Sequence, residues 1–144
     1  MRQERARRTL PSALDRTVLI ETLQRLVECR QEIRWAYLHG SFLEGGPYRD
    51  VDIAVWVDPT AASSKGWRWY EVDLATTLEL RLKQPVDIRV LNDAPLAFRY
   101  HVLKGQLLLV RDWEGLNEMR ARTWDDYCDF LPFARQYLRE VLSA

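Results

Sequence analysis

Two hydrophobic periods alternate along the chain. Leu19, Leu23, Leu26 and Val27 share one helical face, with Arg25 and Glu28 off it, which predicts a first helix to about Arg30. Pro11-Ser12-Ala13-Leu14-Asp15 supplies its start, Ser12 and Asp15 having capping-box spacing with Asp in the Glu place. Ile33 to His39 is rich in aromatics and ends at glycine, so it reads as a strand. Gly45-Gly46-Pro47 marks a turn. From Asp50 to Val57 the alternation is clean. Val51, Ile53, Val55 and Val57 point one way; Asp50, Asp52, Ala54 and Trp56 point the other.

Trp67, Tyr70, Leu74, Leu78 and Leu82 recur at helical spacing and predict a helix to about Lys83, stopped by Pro85. Val86 to Val90 is a third strand, with Val86, Ile88 and Val90 inward and Asp87 and Arg89 on the other face. Ala94 to Lys104 predicts a short helix closed by Gly105. Gln106 to Val110 is a fourth strand, apolar enough to be well covered. A helix from Trp113 carries Leu116, Met119, Trp124, Tyr127 and Leu131, and Pro132 is expected to break or kink it. A last helical segment holds Phe133, Tyr137, Leu138 and Val141. This order predicts an α/β or α+β chain with helices mainly on one sheet face.

A length of 144 residues suits one domain, here residues 12–144, preceded by a flexible basic arm at 1–11 with Arg2, Arg5, Arg7 and Arg8 opposed by Glu4. Hydrophobic content of 47% and charged content of 29% are those of a soluble globular protein. The 21 basic and 21 acidic residues give zero formal net charge, which argues against a wholesale grip on nucleic acid or an anionic membrane. No apolar run approaches the ~18 residues of a membrane span, and no signal peptide is recognisable, so a cytoplasmic location is expected. Cys29 and Cys128 lack metal-type spacing and fall in helical patterns, which predicts buried free thiols.

The polar faces of the strands carry the candidate chemistry. Asp50 and Asp52 project from the same side of one strand with Cα atoms ~6.5 Å apart. Two such carboxylates repel unless a hard cation lies between them, and Mg²⁺ suits oxygen ligands, waters and substrate phosphates. Asp87, on another strand, offers a third carboxylate for a two-metal arrangement. Gly40 and Ser41 end the first strand, where a glycine lets backbone approach a phosphate and N–H groups and a hydroxyl bind its oxygens.

Gly40-Ser41, then Asp50-Val51-Asp52, then Asp87 on a later strand resembles the signature of the DNA polymerase β-like nucleotidyltransferases, and in size their minimal nucleotidyltransferase (MNT) group. The likeness covers roughly Arg34 to Val110. It implies the nucleotidyltransferase fold, with a small mixed sheet of about four strands. It further implies Asp50, Asp52 and Asp87 as Mg²⁺ ligands and catalytic carboxylates, with Asp87 as base for the acceptor, and Gly40 and Ser41 as binders of the triphosphate. MNT proteins of this size resemble antitoxins paired with an all-helical HEPN ribonuclease toxin from the adjacent gene. The implied activity is transfer of AMP from ATP to a tyrosine of that toxin. The eight residues between Ser41 and Asp50 are fewer than the family usually has, the difference falling in the Gly45-Gly46-Pro47 turn.

Other readings stand beside these. Small-molecule nucleotidylation of the aminoglycoside type is one, and a non-catalytic toxin-binding antitoxin is another. Direct nucleic-acid action fits least. Asp50 and Asp52 are alternatively solvent-facing, Asp87 paired with Arg89, and Ser41 a turn cap. His39 reads as a packed histidine, Glu44 and Tyr48 as loop residues, and Lys65 as solvated or within reach of phosphate. Trp67, Trp69 and Tyr70 read as packing, as do most of Trp113, Trp124, Tyr127 and Phe133, which otherwise supply a docking surface.

Overall fold

The computed structural model describes residues 13–62 and 64–143. The basic arm and the Ser12 capping box lie outside them. The elements are α1 (Ala13–Glu28), β1 (Ile33–His39), α2 (Ser41–Glu44), β2 (Val51–Val57), a 3₁₀ turn (Pro59–Ala61), α3 (Trp67–Leu82), β3 (Val86–Val90), α4 (Leu96–Leu103), β4 (Gln106–Val110) and α5 (Trp113–Ser143). The mixed four-stranded sheet has the order β3-β2-β1-β4, with β1 antiparallel to β2 and β4, and β2 parallel to β3. The parallel pair follows from the α3 crossover, since parallel strands need a long connection.

One face of the sheet is covered by α1 and α3. Leu23 and Val27 of α1 and Leu74 and Leu78 of α3 pack on Leu38, Val51, Ile53, Val55 and Ile88, all buried. These are the inward positions of the alternation. The opposite face is covered over only part of its width: Trp35, Tyr37 and Ala54 pack against Val102 of α4 and Leu116 and Met119 of α5. The helices are thus less confined to one face than the pattern suggests. Asp52 and Asp87 belong to this second, partly covered face.

Pro132 does not end the last helix, which runs unbroken from Trp113 to Ser143. The ring removes one N–H and crowds the carbonyl four residues back, on Cys128. Both residues are exposed, so this part of the helix is open to solvent. Beyond Thr123 the helix leaves the core, and Phe130, Phe133, Tyr137, Leu138, Val141 and Leu142 are exposed. Cys29 and Cys128 are also exposed, not buried: one follows the end of α1, the other lies on the outer part of α5. Helical periodicity assigned both to helices but not to the covered faces. Helix α4 starts at Leu96, not Ala94, because Ala94 precedes Pro95 and is biased away from helical geometry. Strand β4 is an edge strand with only Leu108 buried, so it is less covered than its apolar sequence implies. Among the described residues no helix is long and apolar enough to cross a membrane.

Candidate active site

Register sets out the site. His39 of β1 lies opposite Asp52 of β2, and Asp52 lies beside Asp87 of β3. At ~4.8 Å per strand, the row spans about 10 Å. Asp50 immediately precedes β2, and Gly40 and Ser41 immediately follow β1. The five predicted site residues therefore converge at one end of three adjacent strands.

Gly40 is fixed by two independent demands. Its φ of 81° with ψ of −166° is a backbone region essentially restricted to glycine. A Cβ there would also lie 2.1 Å from Asp52 Oδ2. The Gly40–Ser41 turn and the β2 carboxylate thus touch. Ser41 opens a single helical turn, α2, which Gly45 closes in the left-handed region with its N–H bonded to Phe42 O. The turn is pinned from below. Phe42 is buried, with its ring edge-on to Tyr48, whose hydroxyl donates to Gln84 Oε1 at 2.6 Å. Arg16 of α1 donates to Leu43 O and stands over the Phe42 ring. Tyr48 is accordingly a buried anchor, not a loose loop residue; only its hydroxyl partner 36 residues away reveals this role.

Charge is unevenly compensated in the row. Burial, then Asp87, then Asp50 push the Asp52 carboxyl up to about 7, with Arg89 opposing. Arg89 Nε stands 3.7 Å from Asp87 Oδ2, both side chains well exposed, so the ion pair considered from sequence forms loosely. His39 is buried, as expected, with its ring edge-on to Phe98 and His101. Burial, then the charges of His101 and Arg89, push it down to about 4, and its Nε2 has no hydrogen-bond partner. Lys65 stands over the Trp69 ring at the start of α3. Trp67 and Tyr70 bond Asp93 and Glu32, which makes them structural.

Among the described residues no three His, Cys, Asp or Glu side chains are close enough to form a ready metal cage. Magnesium does not require one, since it binds through one or two carboxylates, waters and substrate phosphates. Hard carboxylate donors with Asp52 short of positive charge fit that mode. Beside Asp50 and Asp87, between α3 and the outer edge of β3, opens a cavity of ≈ 310 Å³.

No curated protein matches the sequence. The fold is similar to several solved structures. A chain of the tri-AMPylated Shewanella oneidensis HEPN toxin in complex with MNT antitoxin aligns with a TM-score of 0.65 at 21% identity, covering 90% of this chain and 99% of that one. A chain of a toxin–antitoxin structure with AMP-PNP aligns with a TM-score of 0.67 at 22% identity, covering 87% and 98%. A chain of the toxin–antitoxin MntA-HepT gives 0.64 at 21%, covering 89% and 99%. At such identities the likeness establishes the fold. In sequence, the family described as Polymerase beta, Nucleotidyltransferase matches residues 21–114, a span holding all five site residues. With well over half of its length matched and the carboxylate row at the centre of the match, the chain belongs to the polymerase beta nucleotidyltransferase family.

Proposed function

We propose that the protein transfers AMP from ATP to a hydroxyl of a partner protein, a tyrosine of a HEPN-type ribonuclease toxin encoded next to it, and so acts as that toxin's antitoxin. The observation that carries this reading is the register of Asp52 with Asp87 and the contact of Asp52 with Gly40, which bring two carboxylates and a glycine turn together across three adjacent strands. Similarity to chains from complexes of HEPN toxin with MNT antitoxin, in one of which the toxin is tri-AMPylated, supports the choice of acceptor. The same reading places the protein in the cytoplasm, where ATP and the toxin's RNA substrate are found.

In the proposed mechanism Ser41 Oγ and the backbone N–H groups of its turn hold the outer phosphates. Asp50, Asp52 and Asp87 would hold Mg²⁺, which when bound neutralises the triphosphate and polarises the α-phosphate. Asp87, on the edge strand, takes the proton of the acceptor hydroxyl. The acceptor oxygen bonds to the α-phosphorus, the bond from that phosphorus to the bridging oxygen breaks, and pyrophosphate leaves with the electron pair. The added phosphate brings negative charge to an RNase surface and repels RNA.

The test incubates α-labelled ATP, Mg²⁺ and the neighbouring gene's product with the protein. Label on that product is the expected result; label on small acceptors alone would overturn the protein-acceptor reading. Replacing Asp50 and Asp52 with Ala should lower transfer by about two orders of magnitude or more. Undiminished toxin neutralisation by that variant would point to an antitoxin that works by binding alone.

A further inference from the structure

The sheet arranges the parts of the site in a line. The Gly40–Ser41 turn follows β1, Asp50 and Asp52 lie at β2, and Asp87 is on β3, the edge strand. In-line displacement at phosphorus puts the entering and leaving oxygens on opposite sides of the phosphorus. With pyrophosphate on the Ser41 side, the acceptor oxygen must come from the β3 side. That is where the ≈ 310 Å³ cavity opens, with Asp50 and Asp87 in its lining.

Two glutamates of α3 shape the cavity. Glu79 Oε1 accepts the Val86 N–H at 2.9 Å, and Glu71 Oε2 accepts the Val90 N–H at 3.2 Å. They occupy the outward main-chain donors of β3 on either side of Ile88. By the two-residue repeat, Ile88 is the position between them whose backbone turns toward the cavity. Adding a whole strand to this edge would require displacing both glutamates, whereas a side chain with its flanking residues fits the gap. The same two bonds fix direction: α3 runs antiparallel to β3, so Glu79 marks the carboxylate end and Arg68, one turn before Glu71, the far end. Between them, Val72 and Ala75 provide an apolar wall. Arg68 is the one basic residue of the lining among the described residues. At 1.5 Å per residue it stands about 16 Å along α3 from Glu79, which an extended peptide spans in four to five residues.

Resting on the reading of Asp87 as the acceptor's base, we propose that this cavity is the acceptor site. It takes the hydroxyl side chain of an extended segment of a protein partner, and Arg68 pairs with a carboxylate four residues from that hydroxyl.

Two fluorescein-labelled, end-blocked peptides test this. Each carries one tyrosine, followed four residues later by aspartate in one and lysine in the other. They are titrated against the full chain with Mg²⁺ and AMP-PNP, then used as acceptors with ATP. The aspartate peptide should bind about tenfold more tightly, the difference combining a gained ion pair with a removed repulsion. Arg68→Glu should abolish that preference and Arg68→Lys retain it, with AMP-PNP affinity unchanged in both. In turnover the same pattern should appear in the peptide KM and not in kcat. Equal binding of the two peptides would overturn the proposal, as would an Arg68→Glu variant that weakens AMP-PNP instead. A binding preference without any AMP transfer supports the acceptor site and counts against the proposed reaction.

Discussion

His39 and Asp52 face each other in register but respond to acid in opposite directions. A histidine held at about 4, against an ordinary value of 6.5, contributes full stability above pH 6.5 and loses it as the pH falls toward 4. At pH 5 the unfolded chain takes up this proton and the folded chain mostly does not, a cost of about 2 kcal/mol relative to pH 7.5. Asp52, raised from 3.8 to about 7, burdens the fold most above pH 7, and the burden fades as the pH falls toward 3.8. Over the same interval its full shift is worth about 2.5 kcal/mol in the opposite sense, which solvent contact of the carboxylate reduces to about 1–2 kcal/mol. The two nearly cancel in the wild type. Removing either unmasks the other. On going from pH 7.5 to 5, His39→Phe should gain about 2 kcal/mol relative to wild type, and Asp52→Asn should lose about 1–2 kcal/mol. Urea unfolding at pH 7.5, 6 and 5 in EDTA measures this, because the other titrating groups are common to all three chains. If the two variants track the wild type within about 0.5 kcal/mol, or deviate in the same direction, the assignment of opposed burdens is wrong.

Other consequences follow from single contacts. Gly40→Ala should destabilise by about 3 kcal/mol or more, through backbone strain and the collision with Asp52 Oδ2; a double-mutant cycle with Asp52→Ala should recover the collision share, and strict additivity would refute the contact. Tyr48→Phe should cost about 1 kcal/mol through loss of the bond to Gln84, with Gln84→Ala adding little on top of it in urea unfolding. Leu116→Ala should cost about 3 kcal/mol, whereas Phe133→Ser should stay within about 0.5 kcal/mol, since Leu116 is buried and Phe133 is 72% exposed. Equal losses in thermal unfolding would mean that the outer part of α5 packs on the domain. At pH 7.5, Mg²⁺ in place of EDTA should raise the melting temperature of the wild type more than that of Asp52→Asn, if Asp52 holds the ion.

Local pattern carried much of the fold. The alternation from Val51 to Val57 and from Val86 to Val90 named the buried face residue by residue, because strand side chains alternate sides whatever lies beyond. Where burial depends on what a helix meets, pattern failed. The apolar residues of α5 obey one period throughout, yet Leu116 and Met119 are covered and Phe130 to Leu142 are not. Cys29 and Cys128 were misplaced for the same reason. At the candidate site, residue types and spacing singled out Gly40, Ser41, Asp50, Asp52 and Asp87, which the fold brings together. They did not mark Tyr48, Gln84 or Arg16, whose partners are 36 and 27 residues away.

The sequence by itself determined most of the elements and which strand faces bear carboxylates, since both follow from covalent geometry and side-chain period. It could not determine that Asp52 sits beside Asp87, that Asp52 presses on Gly40, or that His39 completes the row. Those relations come from strand order and register, which depend on the α3 crossover and on how the core packs. The raised Asp52 and depressed His39 are likewise tertiary, because desolvation and neighbouring charge arise only when distant segments meet.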